Sequence, residues 1–181
     1  MVSEADLVAL ARRLQARYIG LGLTVATAES CTGGLVGHVI TEVPGSSAYF
    51  RGAVVAYGDE AKAGLLRVPG SMLQRHGAVS AQVALAMAAG ARDVLRSDLA
   101  ASITGIAGPD GGSAAKPVGL TYIAVAGPAG TDVRRAQWAG ERTENKLESA
   151  RTALELLLEV AAAMGQTSEA PPAGGGSGGG P

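Results

Sequence analysis

Residues 23–43 read LTVATAESCTGGLVGHVITEV. Leu23–Ala28 is a short apolar run, the pattern of a buried strand. Leu35, Val36, Val39, Ile40 and Val43 then share one helical stripe, so the spacing predicts a helix over Thr32–Val43. Small hydroxyls and two glycines lie between. A buried strand that passes through such a turn into a helix is the repeating unit of α/β folds.

The alternation continues on both sides. Upstream, Leu7, Leu10, Ala11 and Leu14 predict a helix over Ala5–Tyr18. Downstream, Tyr49–Tyr57 reads as a strand, Asp59–Leu66 as a short helix opened by a capping residue, and Ser80–Arg96 as a long alanine-rich helix. Leu99–Thr104, Val118–Ala126 and Val133–Trp138 read as strands, the last two joined by GPAGT as an antiparallel hairpin. Thr143–Met164 is the strongest helix, with Leu147, Ala150, Leu154, Leu157 and Ala161 in phase. The predicted fold is a three-layer α/β/α sandwich with a mixed, mostly parallel sheet. One domain is expected over residues 1–164, followed by a flexible Gly/Ser/Pro-rich tail over 165–181.

Composition narrows the function. The chain has 181 residues, 47% hydrophobic and 17% charged, enough to bury a core. Fifteen Lys and Arg against sixteen Asp and Glu leave a net charge of -1, and aromatics are only 3%. That removes the electrostatic and stacking case for direct nucleic-acid binding. A single cysteine, Cys31, permits no internal disulfide, and two histidines leave little for a metal site. The most apolar stretch is interrupted by Glu155 and Glu159 and is too short to span a membrane. The acidic N-terminus lacks the apolar segment of a secretory signal. A cytoplasmic protein without membrane contact is expected.

Three glycine-rich turns follow predicted strands, where α/β sheets collect ligands. Thr27–Gly34 supplies Ser30, Thr32, Gly33 and Gly34, whose groups suit an anion or an oxyanion; ordinary helix capping accounts for the same residues. Ser102–Gly112 permits close backbone approach at its glycines, yet matches neither a dinucleotide fingerprint nor a phosphate-binding P-loop. The third feature, Pro44–Ser47 followed by Val54–Lys62, holds one of only three lysines. A lysine at the start of a short helix has its pKa depressed by the helix field, and a neutral amine serves as general base toward a serine. A solvated Lys62 paired with Asp59 is the competing reading.

Read in order, AESCTGG (28–34), PGSS (44–47), YGDEAK (57–62), HGAVS (76–80), GIAGPDGG (105–112) and KPVG (116–119) closely resemble the C-terminal domain of the competence/damage-inducible CinA family. The resemblance covers roughly residues 4–164. Stand-alone members are nicotinamide-nucleotide amidohydrolases. The resemblance therefore implies hydrolysis of the carboxamide of nicotinamide mononucleotide to nicotinate mononucleotide and ammonia, in pyridine-nucleotide recycling. It implies no metal or organic cofactor, and a homo-oligomer, a dimer or larger. It implies a serine–lysine pair that maps to Ser47 and Lys62, accompanied by Tyr57. Ser30 and Thr104 map to hydroxyls lining the site, and Tyr57 is expected to hydrogen-bond Lys62. Backbone N–H groups near Gly33 or Gly105 are expected to hold the oxyanion or the ribose phosphate, and Arg142 to meet the phosphate. Ser30 stays a rival nucleophile, although AESCTGG lacks the G-x-S-x-G elbow. The alternative function is a non-catalytic nucleotide-binding or interaction module tied to competence or DNA-damage responses.

Overall fold

The computed structural model describes residues 2–168. Five strands form one sheet in the order β2-β1-β3-β4-β5. They are β1 (Val25–Glu29), β2 (Phe50–Val55), β3 (Leu99–Gly105), β4 (Leu120–Gly127) and β5 (Gly130–Gln137). β1 pairs in parallel with β2 and β3, whereas β4 is antiparallel to both β3 and β5. Only β4 is reversed, so the sheet is mixed and mostly parallel.

The period-2 alternation of strands sorts the core into layers. On one face Val25, Leu99, Ala101, Ile103, Ile123 and Val125 pack under α1 (Glu4–Leu21), α2 (Leu35–Thr41) and α6 (Arg142–Ser168). On the other, Ala26, Ala28 and Ala100 pack against α3 (Asp59–Leu66), α4 (Gly70–His76) and α5 (Ala81–Val94). All five residues of β1 are buried, as a central parallel strand covered on both faces requires. This is the three-layer sandwich expected from the sequence.

Several boundaries move for local reasons. α2 starts at Leu35 rather than Thr32, because Gly33 (φ 68°) and Gly34 (φ 97°) hold the turn in the left-handed region. α1 is longer than predicted: a Ser3–Asp6 capping box opens it and Gly22 closes it. α4 was not expected, since its seven residues bury only Leu73. α6 continues to Ser168, into the first residues of the expected tail; the rest of that tail lies outside the described residues.

A glycine sets how closely two helices of one layer approach. α5 lies against the C-terminal end of α3 at Gly90, where an added Cβ would run into the Leu66 carbonyl. Gly90→Ala is therefore expected to destabilise the fold by about 1–3 kcal/mol through overpacking, read as a lowered urea midpoint. An unchanged midpoint would show that the two helices can separate freely.

Candidate functional site

The parallel strands β1, β2 and β3 end side by side, and their carboxyl-terminal turns enclose a cleft of about 250 Å³. Ser30 and Cys31 come from the turn after β1, Tyr57, Asp59 and Lys62 from the segment after β2, and Thr104 to Gly111 from the end of β3. Arg142, at the start of α6, completes the rim.

Lys62 is the most unusual group in the cleft. Its side chain is 1% exposed, and Nζ donates to the Tyr57 carbonyl at 2.9 Å. Asp59 Oδ1 lies 3.8 Å away, itself half-exposed. Burial holds the amine below the usual lysine range; the Asp59 carboxylate opposes this most strongly, followed by Cys31, Glu60 and Tyr57. The expected helix field is thus replaced by desolvation as the leading cause. Cys31 is pushed up to about 12 by the same burial. A thiol held protonated in this way is no nucleophile at neutral pH.

The turn after β1 rests on Glu29, which is fully buried. Its carboxylate accepts from the hydroxyls of Thr27 (3.3 Å) and Thr32 (2.7 Å). It also accepts from the N–H groups of Gly34 (3.1 Å), Val36 (3.1 Å) and Gly37 (2.8 Å). The N-cap of α2, Gly34, has no side chain to supply this acceptor, so the strand's last residue supplies it. Ser30 follows directly and is anchored by its own N–H on the Ile103 carbonyl, 3.0 Å.

The geometry brings together Ser30, Tyr57, Lys62, Thr104, Gly105 and Arg142. It corrects three expectations. Ser47 is exposed in the 3-10 turn Ser46–Ala48 ahead of β2, whereas Lys62 follows the far end of that strand. Six extended residues put about 20 Å between those ends, so Ser47 is not beside Lys62 within the chain. Thr32, Gly33 and Gly34 do not face the cleft: Thr32 and Gly34 donate to Glu29, and the Gly33 N–H to the Ser30 carbonyl at 3.0 Å. Nor does Ser30 or Thr32 cap α2, whose first N–H groups are met by the Glu29 carboxylate. Tyr57 meets Lys62 through its carbonyl rather than its phenol. The residue is 63% exposed, and its phenol oxygen lies 3.5 Å from Arg142 Nη2. Thr104 lines the cleft with its hydroxyl donating to the Ala78 carbonyl, 2.9 Å.

A family model described as the CinA C-terminal domain matches residues 7–161. The chain belongs to this family. A CinA-like protein of Geobacter sulfurreducens is 57% identical over 136 residues, 75% of this chain and 33% of that protein. One from Geotalea uraniireducens is 52% identical over the same length. The chain thus spans about a third of these curated relatives. Among solved structures, the competence/damage-inducible protein CihA of Agrobacterium tumefaciens superposes with a TM-score of 0.84 at 45% identity, covering 86% of this chain and 95% of that one. A CinA-superfamily protein of Klebsiella pneumoniae gives 0.84 at 30% identity, covering 87% and 98%.

In this CinA domain, sequence reasoning passed over Glu29 and Asn145. Both are buried. Asn145 donates to the Ala107 carbonyl at 3.0 Å and accepts from the Gly140 N–H, holding the start of α6 on the cleft loop. The available signal for Glu29 was an acid closing an all-buried strand just before a helix that starts on glycine. Replacing the carboxylate by an amide turns one acceptor into a donor against several donors. Glu29→Gln is expected to lower stability by about 2–3 kcal/mol, measured by chemical denaturation. Stability equal to wild type would mean that the turn does not depend on the charge.

Proposed function

We propose that this CinA domain hydrolyses the carboxamide of nicotinamide mononucleotide, with Ser30 as nucleophile and Lys62 as general base. The observation that carries the reading is a lysine amine buried in the same cleft as a serine hydroxyl, with its proton affinity lowered by burial. An amine of that kind is neutral at lower pH than a solvated lysine and can accept a proton from the hydroxyl.

The steps balance as follows. Ser30 Oγ attacks the carboxamide carbon while its proton passes to Lys62 Nζ. The tetrahedral intermediate collapses when Lys62 returns the proton to the departing amine, releasing ammonia and leaving an ester on Ser30. Water attacks the ester, its proton passing to Lys62 and then to Ser30, and nicotinate mononucleotide leaves. The Tyr57 carbonyl orients Nζ throughout, and Asp59 favours the protonated amine between the two transfers.

Ammonia release from nicotinamide mononucleotide tests the assignment. Ser30→Ala is expected to lower kcat by about 10³-fold or more, and Ser47→Ala to stay within a few-fold of wild type. Wild-type turnover in Ser30→Ala would move the nucleophile elsewhere; binding without any turnover by the unaltered protein would favour the non-catalytic module. Because the base acts neutral, kcat/KM should rise with pH through an apparent pKa below the ordinary 10.5 of lysine. Asp59→Asn removes the opposing charge and should move that rise to lower pH by about half a unit. A shift the other way would contradict the role given to Asp59.

The same burial links Lys62 to stability. Between its lowered native pKa and 10.5 the unfolded chain binds more protons than the native one, so this group makes stability rise with pH across that window. Lys62→Met is expected to melt above wild type near pH 7, with the gap closing toward pH 10. A lower melting temperature at pH 7 would contradict a desolvation penalty on the amine.

A further inference from the structure

A second cavity, of about 420 Å³, lies between the end of β5 and the first turns of α6. Gln137 and Trp138 line it from the strand side, and Glu144, Asn145, Glu148 and Arg151 from the helix. Asn145 ties it to the cleft loop, its Nδ2 donating to the Ala107 carbonyl at 3.0 Å.

Every side-chain nitrogen in this lining already donates to a protein acceptor. Gln137 Nε2 meets the Val118 carbonyl at 2.6 Å, and Trp138 Nε1 the Ser149 hydroxyl at 2.9 Å. Arg151 gives Nε and Nη2 to Glu148, at 3.0 and 2.7 Å, and Nη1 to Glu155 at 3.3 Å. The acceptors are not exhausted. Glu144 Oε2 takes the Glu141 N–H and Glu148 Oε2 takes Arg151, but Oε1 of each receives no hydrogen bond among the described residues. Glu144 and Glu148 stand four residues apart on one helix face, where like charges repel. Arg151 offsets one of them and is shared with Glu155. The cavity therefore carries surplus negative charge beside the chain's only tryptophan. With its indole N–H engaged, that tryptophan has its ring face left to offer.

We propose that this cavity is a second ligand site, for a small guanidinium cation. A guanidinium is planar, is more weakly hydrated than an ammonium, stacks on an indole and turns its N–H fork toward a carboxylate. An anion would meet two carboxylates and side-chain nitrogens that are already engaged. A neutral acceptor lacks a partner for the same reason. The site is independent of the amidohydrolase reading, since it shares no lining residue with the cleft.

Trp138 supplies the readout, with calorimetry as a second measure of binding to the intact chain. Methylguanidinium and tetramethylammonium carry the same charge and the same number of heavy atoms, but only the first has N–H donors. At fixed ionic strength methylguanidinium is expected to bind saturably and to change Trp138 emission, with tetramethylammonium at least about fivefold weaker. Glu144→Gln keeps an acceptor oxygen for the Glu141 N–H while removing the charge, and should weaken methylguanidinium about tenfold. Glu148→Gln also releases Arg151, and should weaken it at least as much. No saturable binding by either method, equal binding of the two cations, or unaltered binding in both variants overturns the site.

Discussion

A carboxylate in the dry interior is tolerated only when its charge is met by donors, and Glu29 is met by five. Three are backbone N–H groups at the entrance of α2, which that helix cannot satisfy itself. The charge thereby fastens the last residue of the central strand to the first turn of the next helix. α2 in turn sits close on β2, since a Cβ at Gly37 would come within 2.9 Å of the Ala53 Cβ. Ser30 is the residue immediately after this knot, and its direction follows from it. A hydroxyl on an unsupported turn would sample many orientations; here the backbone on both sides is committed before any ligand arrives.

The cleft then follows from topology. β1, β2 and β3 run in parallel, so their carboxyl ends open on the same edge. Antiparallel β4 carries the chain away from this edge, and β5 returns it toward the loop that α6 holds through Arg142 and Asn145. No side chain lining this edge has to come from a long excursion. What distinguishes the site from an ordinary strand-end crevice is the amine of Lys62, stripped of water while the carboxylate that pairs with it, Asp59, stays half in solvent.

Periodicity made the layers legible. Leu35, Val36, Val39 and Ile40 marked the α2 stripe, and Val36, Val39 and Ile40 are all fully buried in it. The spacing of Lys62 after β2 likewise placed an amine at the strand end. What the sequence could not display is which end of a strand a loop residue occupies relative to a partner. Ser47 and Lys62 are fifteen positions apart, flanking one strand, and a parallel neighbour puts only one of them at the ligand edge. Nor could it display which polar groups are already spent. Thr32, Gly33 and Gly34 look free in a string of letters, yet their donors are consumed inside the turn. Glu29 was overlooked for the complementary reason: a charge in a strand reads as a solvated end until its five donors are counted.

The division of labour between the two kinds of cation sharpens the picture. The chain has twelve arginines and three lysines. Arginines make most of the ion pairs on the outer surface, with Arg67 on Asp93, Arg134 on Glu159 and Arg151 on Glu148. Of the three lysines only Lys62 lines the cleft; the Lys146 amine stands near Gly33, and Lys116 donates to the His76 carbonyl at 2.6 Å. In the proposed reaction only Lys62 needs the chemistry of an amine. A guanidinium at position 62 would keep its proton at any accessible pH and could not relieve a serine of its own. Among the described residues Lys62 holds the one buried cationic position, and there an amine, unlike a guanidinium, is able to give up its proton.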